Sequence, residues 1–398
     1  MLLSELKNKK ILILGFGREG KDTLLFLKKK FPSKKIGIAD RKFGKNYLNK
    51  IKDYDVVIKA PGIPFKILPK VSLKKITTQT EIFFDNCLSK IIGVTGTKGK
   101  STTASLIYAI LKKAGLKVHL VGNIGQPVLL SLLKAKKDDI FVYELSSHQL
   151  YNLKKSPQVA VLLNIYEEHL DYYKDFKDYI KAKANIAKYQ TKKDFLVYNS
   201  RNSYVKSIAK KSKAKRIAFQ GKYYSEDMEA AKKVARIFKI PQKTISAAIK
   251  GFRFLPHRLE YVGKFQGIKF YNDSLATIPG ATIGALDYLK NAQTLIAGGF
   301  DRGINYEKLG KEINKSKVKT LILFPGTGKR ILKAVVQASS RPVKHFFVKD
   351  MKNAVKLAYQ HTEKGKTCLL SPASASFGLF KDYEERGNSF KKFVKMLK

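Results

Sequence analysis

The sequence predicts an α/β protein in which parallel sheets are covered by helices. Short apolar segments alternate with helical runs along almost all of the 398 residues. Many apolar segments end directly in glycine or small polar residues, as strands do before they turn into a helix. Hydrophobic residues make up 44% of the chain, which is enough for two or three cores. Strands that alternate with helices form parallel sheets, because each helix returns the chain to the same end of the sheet.

The first strand leads into a glycine turn. The segment KILILGFG is followed by the pattern Gly15-x-Gly17-x-x-Gly20, and Asp40 ends the next strand. This spacing is a fingerprint of dinucleotide binding, in which the acidic residue holds a ribose hydroxyl. The fingerprint is compatible with an NAD-linked oxidoreductase, and also with any nucleotide diphosphate held at a helix N-terminus. The pattern alone leaves both hypotheses open.

A second strand ends in a phosphate-binding sequence. Residues 91–103 read IIGVTGTKGKSTT and are followed by the helical run ASLIYAILKKAG. Gly96 and Gly99 can adopt backbone angles that direct N–H groups at phosphates. Lys100 can reach the β- and γ-phosphates, and the Ser101 hydroxyl can hold Mg²⁺. Val94 stands where the strict P-loop pattern has its first glycine, yet the position between strand and helix favours a nucleoside triphosphate site.

Polar side chains follow the next strands. Glu144 ends the strand DIFVYE, a position that suits Mg²⁺ beside a phosphate loop. His169 follows VAVLLNI beside three carboxylates, where a histidine can bind a metal or contact phosphate. A helix is predicted over residues 174–190, and it contains Lys183, which by itself is one of many lysines.

The C-terminal part continues the pattern after a predicted hairpin between Pro256 and about Lys290. Asn272 closes one strand and Asp301-Arg302 follows another. The last major strand ends in LLSPASASFG, where small hydroxyl side chains and accessible backbone can receive a carboxylate. Residues of this kind at strand ends face the cleft of an open α/β sheet.

We place domain boundaries where a new apolar strand restarts the pattern. The predicted domains are a Rossmann-like domain over 1–89, a central domain over 90–291 with a mostly parallel sheet of the P-loop ATPase type, and a Rossmann-like domain over 292–398. For the boundary between the central and the last domain, a position near 255 is nearly as well supported as 291.

The chain is strongly basic, with a formal net charge of +48 from 79 Lys and Arg against 31 Asp and Glu. The lysines are spread along the whole chain, and no compact basic block is interleaved with aromatic residues. A general lysine enrichment of solvated faces is the favoured interpretation, ahead of attraction of an acidic substrate and of nucleic-acid binding. We expect no nucleic-acid partner.

Cysteine content and hydropathy bear on the compartment. Cys87 and Cys368 are too few and too far apart to predict a disulfide framework or a zinc ribbon. No apolar run approaches the ~20 residues of a membrane helix, and the N-terminus reads as a first strand, not as a signal peptide. A cytoplasmic protein without a membrane span is expected.

These segments, in this order, resemble the Mur ligase family over essentially the whole chain. GVTGTKGKSTT is similar to the ATP loop of the family, and GNIG and YELSSHQL are similar to its next two signatures. NIYEEHLDYY and YIKAKANI resemble the segment with its histidine and its modified lysine. HRLEYV, NDSLAT, GGFDRG and LLSPASASFGLFKDYEERGNSF resemble the C-terminal signatures, and the last of these points to the branch that adds glutamate.

The resemblance implies a function. It implies an ATP-dependent ligase of peptidoglycan biosynthesis that joins D-glutamate to UDP-N-acetylmuramoyl-L-alanine through an acyl phosphate. It implies ATP, two Mg²⁺ ions and a carbamylated Lys183, and a monomer whose partners are these small-molecule substrates. The three domains would bind the UDP-sugar, ATP and glutamate, in that order.

The resemblance also implies roles for individual residues. The implied catalytic residues are Lys100, His169 and Lys183, and the implied metal ligands are Ser101, Glu144, His169 and Lys183. The implied ATP contacts are Gly96, Thr97, Lys98, Gly99, Lys100, Ser101, Thr102, Asn272, Asp301 and Arg302. The implied substrate contacts are Gly17, Arg18, Arg41, Asn123, Ser376, Phe377 and Tyr383.

Four positions depart from the family pattern. Lys98 replaces a common Asn of the phosphate loop and His148 replaces a common Phe, and neither change affects the expected ATP chemistry. Ala60 replaces a Ser of the first domain, which bears on contacts to uridine. Tyr383 replaces a Phe, which bears on how strictly the amino-acid pocket requires the D-enantiomer.

Overall fold

A computed structural model describes residues 1–169, 172–221, 224–252, 255–339 and 342–397, without the side chains of residues 70–72. The chain divides into two compact units, Met1–Gly221 with Glu226–Gly251, and Phe252–Lys398 with Lys222–Ser225. The described strands form three sheets, and nearly all of their pairings are parallel. The predicted α/β class is therefore confirmed.

The first sheet has the strand order β2-β1-β3-β4 and is parallel throughout. Its strands are β1 (Ile11–Leu14), β2 (Ile36–Ala39), β3 (Val56–Lys59) and β4 (Ile76–Thr78), and its helices are α1 (Leu3–Leu6), α2 (Arg18–Lys30) and α3 (Gln79–Asn86), with 3-10 helices at Arg41–Phe43, Tyr47–Asp53, Phe65–Ile67 and Lys70–Lys75. β1 pairs with β2 on one side and with β3 on the other, so the strand order reverses at β1. In open parallel sheets, a crevice lies at the carboxyl end of the strand where the order reverses.

The second sheet has the order β10-β9-β8-β5-β7-β6 and is also parallel. Its strands are β5 (Lys90–Thr95), β6 (Val118–Gly122), β7 (Ile140–Glu144), β8 (Val159–Leu162), β9 (Phe195–Asn199) and β10 (Lys215–Phe219). Its helices are α4 (Lys100–Lys113), α5 (Val128–Leu132), α6 (Ser147–Leu150), α7 (Phe176–Lys188), α8 (Ser203–Lys211), α9 (Tyr224–Ile237) and α10 (Gln242–Lys250). β5 lies between β7 and β8, which places the phosphate loop between the ends of these two strands.

A common core joins the first two sheets within the first unit. Phe83 of α3 packs edge-on against Phe141 and Tyr143 of β7, with ring centroids 5.0 and 5.4 Å apart. All three rings are buried. The first compact unit contains both sheets because they share this core. A domain boundary between them at residue 89 stays a prediction.

The third sheet has the order β11-β12-β16-β13-β14-β15. Its strands are β11 (Glu260–Phe265), β12 (Ile268–Asn272), β13 (Ala292–Gly299), β14 (Thr320–Gly326), β15 (Lys344–Phe347) and β16 (Thr367–Leu370), and its helices are α11 (Pro279–Tyr288), α12 (Glu307–Lys315), α13 (Gly328–Ala338), α14 (Met351–His361) and α15 (Tyr383–Met396). β11 is antiparallel to β12, and the other pairings are parallel.

The hairpin of β11 and β12 changes the predicted second boundary. β12 pairs with β16, so the hairpin is part of the third sheet. A boundary at 291 would divide this sheet, whereas the first compact unit ends at Gly251 and the second resumes at Phe252. The alternative near 255 is therefore closer to the observed division. The apolar pattern that restarts at Ala292 is β13, a strand inside the third sheet and not the first strand of that sheet.

Candidate functional site

The phosphate loop connects β5 to the N-terminus of α4. Gly99 caps this helix with φ +85°, and a Cβ atom there would lie 2.2 Å from Oδ1 of Asp227. Only glycine therefore fits this position without strain. Helix α4 directs its first N–H groups, which have no acceptor within the helix, towards the loop. The predicted Gly96, Thr97, Lys98, Gly99, Lys100, Ser101 and Thr102 are brought together here.

Asn164, at the end of β8, fixes the shape of this loop. Its Oδ1 accepts from Lys98 N at 2.9 Å, and its Nδ2 donates to Lys98 O at 3.2 Å. Its own carbonyl accepts from Thr97 N at 2.8 Å. Thr97 is further held by Tyr179, whose hydroxyl lies 3.0 Å from Thr97 Oγ1. These protein contacts thus define the shape of the loop.

Lys183 is buried directly beneath the loop. It shares the inward face of α7 with Tyr179 and Ile186, as helical spacing requires, and is only 1% exposed. Its Nζ donates to Gly96 O at 2.8 Å and lies 4.9 Å from the centroid of the Tyr179 ring. Burial lowers the pKa of this amine well below its ordinary value, and the nearby charge of Lys100 lowers it further. The uncharged form of this amine is therefore favoured relative to that of an exposed lysine.

The other predicted metal ligands lie at neighbouring strand ends. Glu144 is buried at the end of β7 and pairs in register with Val94 of β5. His169 follows β8 with φ +59°, is 47% exposed, and has Nε2 3.8 Å from the Glu168 carboxylate. Within the described ranges, no three His, Cys, Asp or Glu side chains form a group that could hold a metal. Asp171, one of the carboxylates noted beside His169, lies outside the described residues.

The glycine turn after β1 is held by a carboxylate. Oδ2 of Asp40 accepts from Phe16 N at 2.5 Å, and Oδ1 accepts from Lys42 N at 3.0 Å. These bonds lower the pKa of the Asp40 carboxyl. Asp40 therefore shapes the turn through both of its oxygens, which disfavours the alternative in which it binds the ribose of NAD.

Predicted substrate-binding residues of the first two sheets meet at this turn. Arg18, which follows Gly17 at the start of α2, donates from Nη1 to Asn123 O at 3.3 Å and from Nη2 to Gly125 O at 2.6 Å. Gly17 has open space where a Cβ would be, and Arg41 is exposed. Gly17, Arg18 and Asn123 are thus brought together, while no hydrogen bond among the described residues links Arg41 to them.

Glu19, which the sequence did not single out, lies between the first two sheets. Its Oε1 accepts from Gln149 Nε2 of α6 at 2.7 Å. Burial raises the pKa of Glu19 to about 7, and the charge of Asp22 adds to this, while Gln149, Lys59 and Arg18 oppose it. Asp22 is itself buried and accepts from Gln79 Nε2 at 2.6 Å. The contact between the two sheets therefore contains a carboxyl group that titrates near neutral pH.

The stability of this contact is expected to depend on pH. Because the folded-state pKa of Glu19 is raised, its favourable contribution is fully present below about pH 4.5 and is lost as the pH rises through about 7. The free energy of unfolding should fall by about 3 kcal/mol over this range. Glu19→Gln keeps the acceptor for Gln149 but cannot ionise. We expect its Tm, relative to that of the unmodified protein, to rise from about pH 5 to about pH 8, and a constant difference would show that Glu19 is not the titrating group.

The third sheet gathers a second set of predicted residues at its carboxyl edge. The Arg302 guanidinium lies 5.5 Å from the centroid of the exposed Phe377 ring, while Ser376 is buried. Asp301 pairs with Arg330 and accepts from Gly303 N at 2.8 Å. The carbonyl of Tyr383 accepts from Ser274 Oγ at 2.8 Å. Arg302, Ser376 and Phe377 thus lie along one edge.

Asn272 is more deeply placed than the sequence implied. It is fully buried, and its Nδ2 lies 2.9 Å from Glu260 Oε2 and 3.1 Å from His257 Nδ1. Its Oδ1 accepts from Ser274 N at 3.2 Å, so the amide holds the turn after β12, and its contact to ATP stays a prediction. Arg386 is a buried cation nearby that the sequence analysis did not single out. It lies within the segment LLSPASASFGLFKDYEERGNSF, which points to the glutamate-adding branch of the family.

Comparisons with known proteins agree with this geometry. Residues 94–267 match the model of the Mur ligase middle domain, and residues 257–374 match that of the Mur ligase glutamate ligase domain. The UDP-N-acetylmuramoylalanine--D-glutamate ligase of Clostridium tetani is 37% identical, with 89% of this chain and 85% of that protein covered. The protein of the same name from Acetivibrio thermocellus is 35% identical, with 98% and 97% covered.

Solved structures show the same fold at lower identity. A pseudomurein peptide ligase type C from Methanothermus fervidus has a TM-score of 0.57 at 18% identity, with 98% of this chain and 100% of that chain covered. A UDP-N-acetylmuramate-alanine ligase from Thermotoga maritima has a TM-score of 0.58 at 14% identity, with 98% and 99% covered. The chain belongs to the Mur ligase family. In the described part of the chain, no helix has the length and apolar character needed to cross a bilayer.

Proposed function

We propose that this chain joins D-glutamate to UDP-N-acetylmuramoyl-L-alanine with hydrolysis of ATP, as a step of peptidoglycan biosynthesis. The observation that carries the proposal is identity of 35% over 98% of the chain to a relative with that name. The phosphate loop beside β7 and β8 supports it, because it provides a site for the triphosphate next to the buried Glu144 and Lys183.

The chemical problem is that a carboxylate is a poor electrophile. In the proposed reaction, an oxygen of the alanyl carboxylate bonds to the γ-phosphorus of ATP while the bond to ADP breaks. The glutamate amine then attacks the acyl carbon, loses a proton and displaces phosphate. Lys100 and the N-terminus of α4 offset the negative charge that gathers on the phosphoryl group. The proposed catalytic residues are Lys100, Lys183 and His169, and His169 follows β8.

The chemistry of the residues around the loop supports the implied carbamate and, once Lys183 carries it, the magnesium ions. Carbamylation requires an uncharged amine, and burial of Lys183 beneath Gly96 favours that form. The modification converts a cation into a carboxylate, and Mg²⁺ prefers oxygen ligands. Ser101, Glu144, His169 and the carbamate of Lys183 would hold two Mg²⁺ ions, which supply charge neutralisation for phosphoryl transfer.

We propose that each sheet serves one substrate. The turn at Gly17 and Arg18, linked to Asn123, would hold the UDP-sugar, and the second sheet would hold ATP. The third sheet, in a domain that begins near residue 252, would hold D-glutamate beside Ser376, Phe377 and Tyr383. We further propose that the enzyme acts as a cytoplasmic monomer on soluble substrates and has no nucleic-acid partner.

Phosphate release from ATP tests this proposal. We expect release with UDP-N-acetylmuramoyl-L-alanine and Mg²⁺ only when D-glutamate is also present, with one amide bond formed per ATP consumed. L-glutamate and other amino acids provide the comparison for the acceptor. Release that is independent of the UDP-sugar, or a thermal shift with NADH and none with ATP and Mg²⁺, would contradict the assignment.

A further inference from the structure

Arg386 is a buried cation whose hydrogen-bond partners are all neutral. It lies on the first turns of α15 and is only 1% exposed. Its Nε donates to Ser274 Oγ at 3.0 Å, Nη2 donates to Ser274 O at 2.8 Å, and Nη1 donates to Ser374 O at 3.1 Å. Among the described side chains, no carboxylate lies within 4.0 Å of the guanidinium nitrogens.

This arrangement is electrostatically unusual. A buried charge is costly unless an opposite charge or a full set of hydrogen bonds compensates it. Burial lowers the pKa of Arg386 to about 10, so the group remains a cation at neutral pH. Asp273, the acid adjacent in sequence to Ser274, accepts from Ser371 Oγ and Leu259 N, and burial raises the pKa of its carboxyl to about 7. It is therefore a weak counter-charge.

Arg386 also joins the turns of the third sheet that contain the predicted amino-acid pocket. Ser274 belongs to the turn after β12, and Ser374 belongs to the loop after β16, which leads into Ser376 and Phe377. The end of β13 also approaches this side chain, because a Cβ atom on Gly299 would lie 3.3 Å from Arg386 Nη1 and 2.4 Å from Ala375 O. One side chain thus touches the backbone of two turns and approaches a third.

We propose that Arg386 is a positioning and specificity residue, which fixes the loop around Ser374–Ser376 and, through its uncompensated charge, favours an acceptor amino acid with an anionic side chain. The inference rests on the proposed function, since it concerns the amino acid that the third sheet would bind. Because Arg386 is buried, its charge would act on the acceptor carboxylate across the Ser374–Ser376 loop and not by direct contact. An acceptor with a neutral side chain of the same shape lacks that carboxylate.

Acceptor selectivity separates this role from a merely structural one. The measured quantity is kcat/KM for D-glutamate divided by kcat/KM for D-glutamine, with ATP and the UDP-sugar saturating. Arg386→Met removes the charge and keeps an unbranched side chain, whereas Arg386→Lys keeps the charge. Lys392→Met, at an exposed position of the same helix, is the matched control.

We expect Arg386→Met to lower the D-glutamate to D-glutamine ratio by about tenfold or more, mainly through KM for the amino acid. Arg386→Lys should retain most of the ratio even if its overall rate falls, and Lys392→Met should leave both unchanged. Equal losses for both acceptors in Arg386→Met would overturn the selectivity role. If Arg386→Met does not fold, a ratio in Arg386→Lys that falls as the pH rises would support the role of the charge, and a constant ratio would oppose it. If the unmodified protein does not use D-glutamate at all, the proposed function fails instead.

Discussion

Lys183→Ala is expected to abolish ligase activity, and short carboxylic acids are expected to restore part of it. The substitution removes the amine that would become the carbamate, and with it one proposed oxygen ligand of Mg²⁺. Loss of a group that orients a metal typically costs 10–100-fold, so loss of a direct ligand should cost at least about 100-fold in kcat. Formate or acetate can place a carboxylate in the space that the truncated side chain leaves.

The choice of rescuing molecule separates two roles for the same side chain. Lys183 also donates to Gly96 O, so the alanine variant could lose activity because the phosphate loop changes shape. A small amine such as methylamine can replace that hydrogen bond but cannot replace a carboxylate. Rescue by acetate and not by methylamine supports the carbamate, and the reverse result points to the hydrogen bond alone.

Two further measurements complete this test. Lys181→Ala removes an exposed lysine two residues away on the same helix and should leave activity unchanged. Depletion of CO₂ and bicarbonate should reduce the activity of the unmodified protein and have no effect on acetate-rescued Lys183→Ala. Full activity in Lys183→Ala without any addition would remove the carbamate from the mechanism.

The sequence predicts most of the fold because its strands carry strong local signals. The buried runs at β1, β5, β7 and β16 are continuous apolar segments, and each ends in the glycine or small polar residues of a turn. β4 is missed because a three-residue strand of Ile-Thr-Thr has too little pattern to detect. The sequence leaves the second boundary open between 255 and 291, because sheet membership of the hairpin depends on pairing between β12 and β16, which are far apart in sequence.

In the candidate site too, features formed by residues adjacent in sequence are predictable, whereas contacts between residues far apart in sequence are not. The phosphate loop is predictable because its glycines and Lys100 are adjacent in sequence. The clamp by Asn164 is not, because its partner Lys98 lies 66 residues away. The burial of Glu19 and Arg386 is not predictable either, since a charged residue on an amphipathic helix is taken as solvated until the packing is known.

Lys100→Ala is expected to cause the second large loss, roughly 100- to 1000-fold in kcat, because it removes a cation aimed at charge that develops during phosphoryl transfer. The loop itself should survive the substitution. Asn164 holds Lys98, Gly99 sets the start of α4, and Thr97 is bound to Tyr179. The Lys100 ammonium donates to Thr97 O at 2.9 Å, and the substitution removes this hydrogen bond while the other contacts of the loop remain.

The loss should therefore appear in nucleotide handling and not in folding. We expect Lys100→Ala to keep the Tm within about 2 °C, to bind ATP·Mg more weakly in calorimetry, and to form ADP slowly in a single turnover even when nucleotide is saturating. Lys113→Ala removes an exposed cation at the other end of α4 and should match the unmodified protein in all three measurements. A Lys100→Ala variant with normal single-turnover ADP formation would show that charge stabilisation at this loop comes from the helix N-terminus and the bound cations, and that Lys100 serves only the resting shape of the loop.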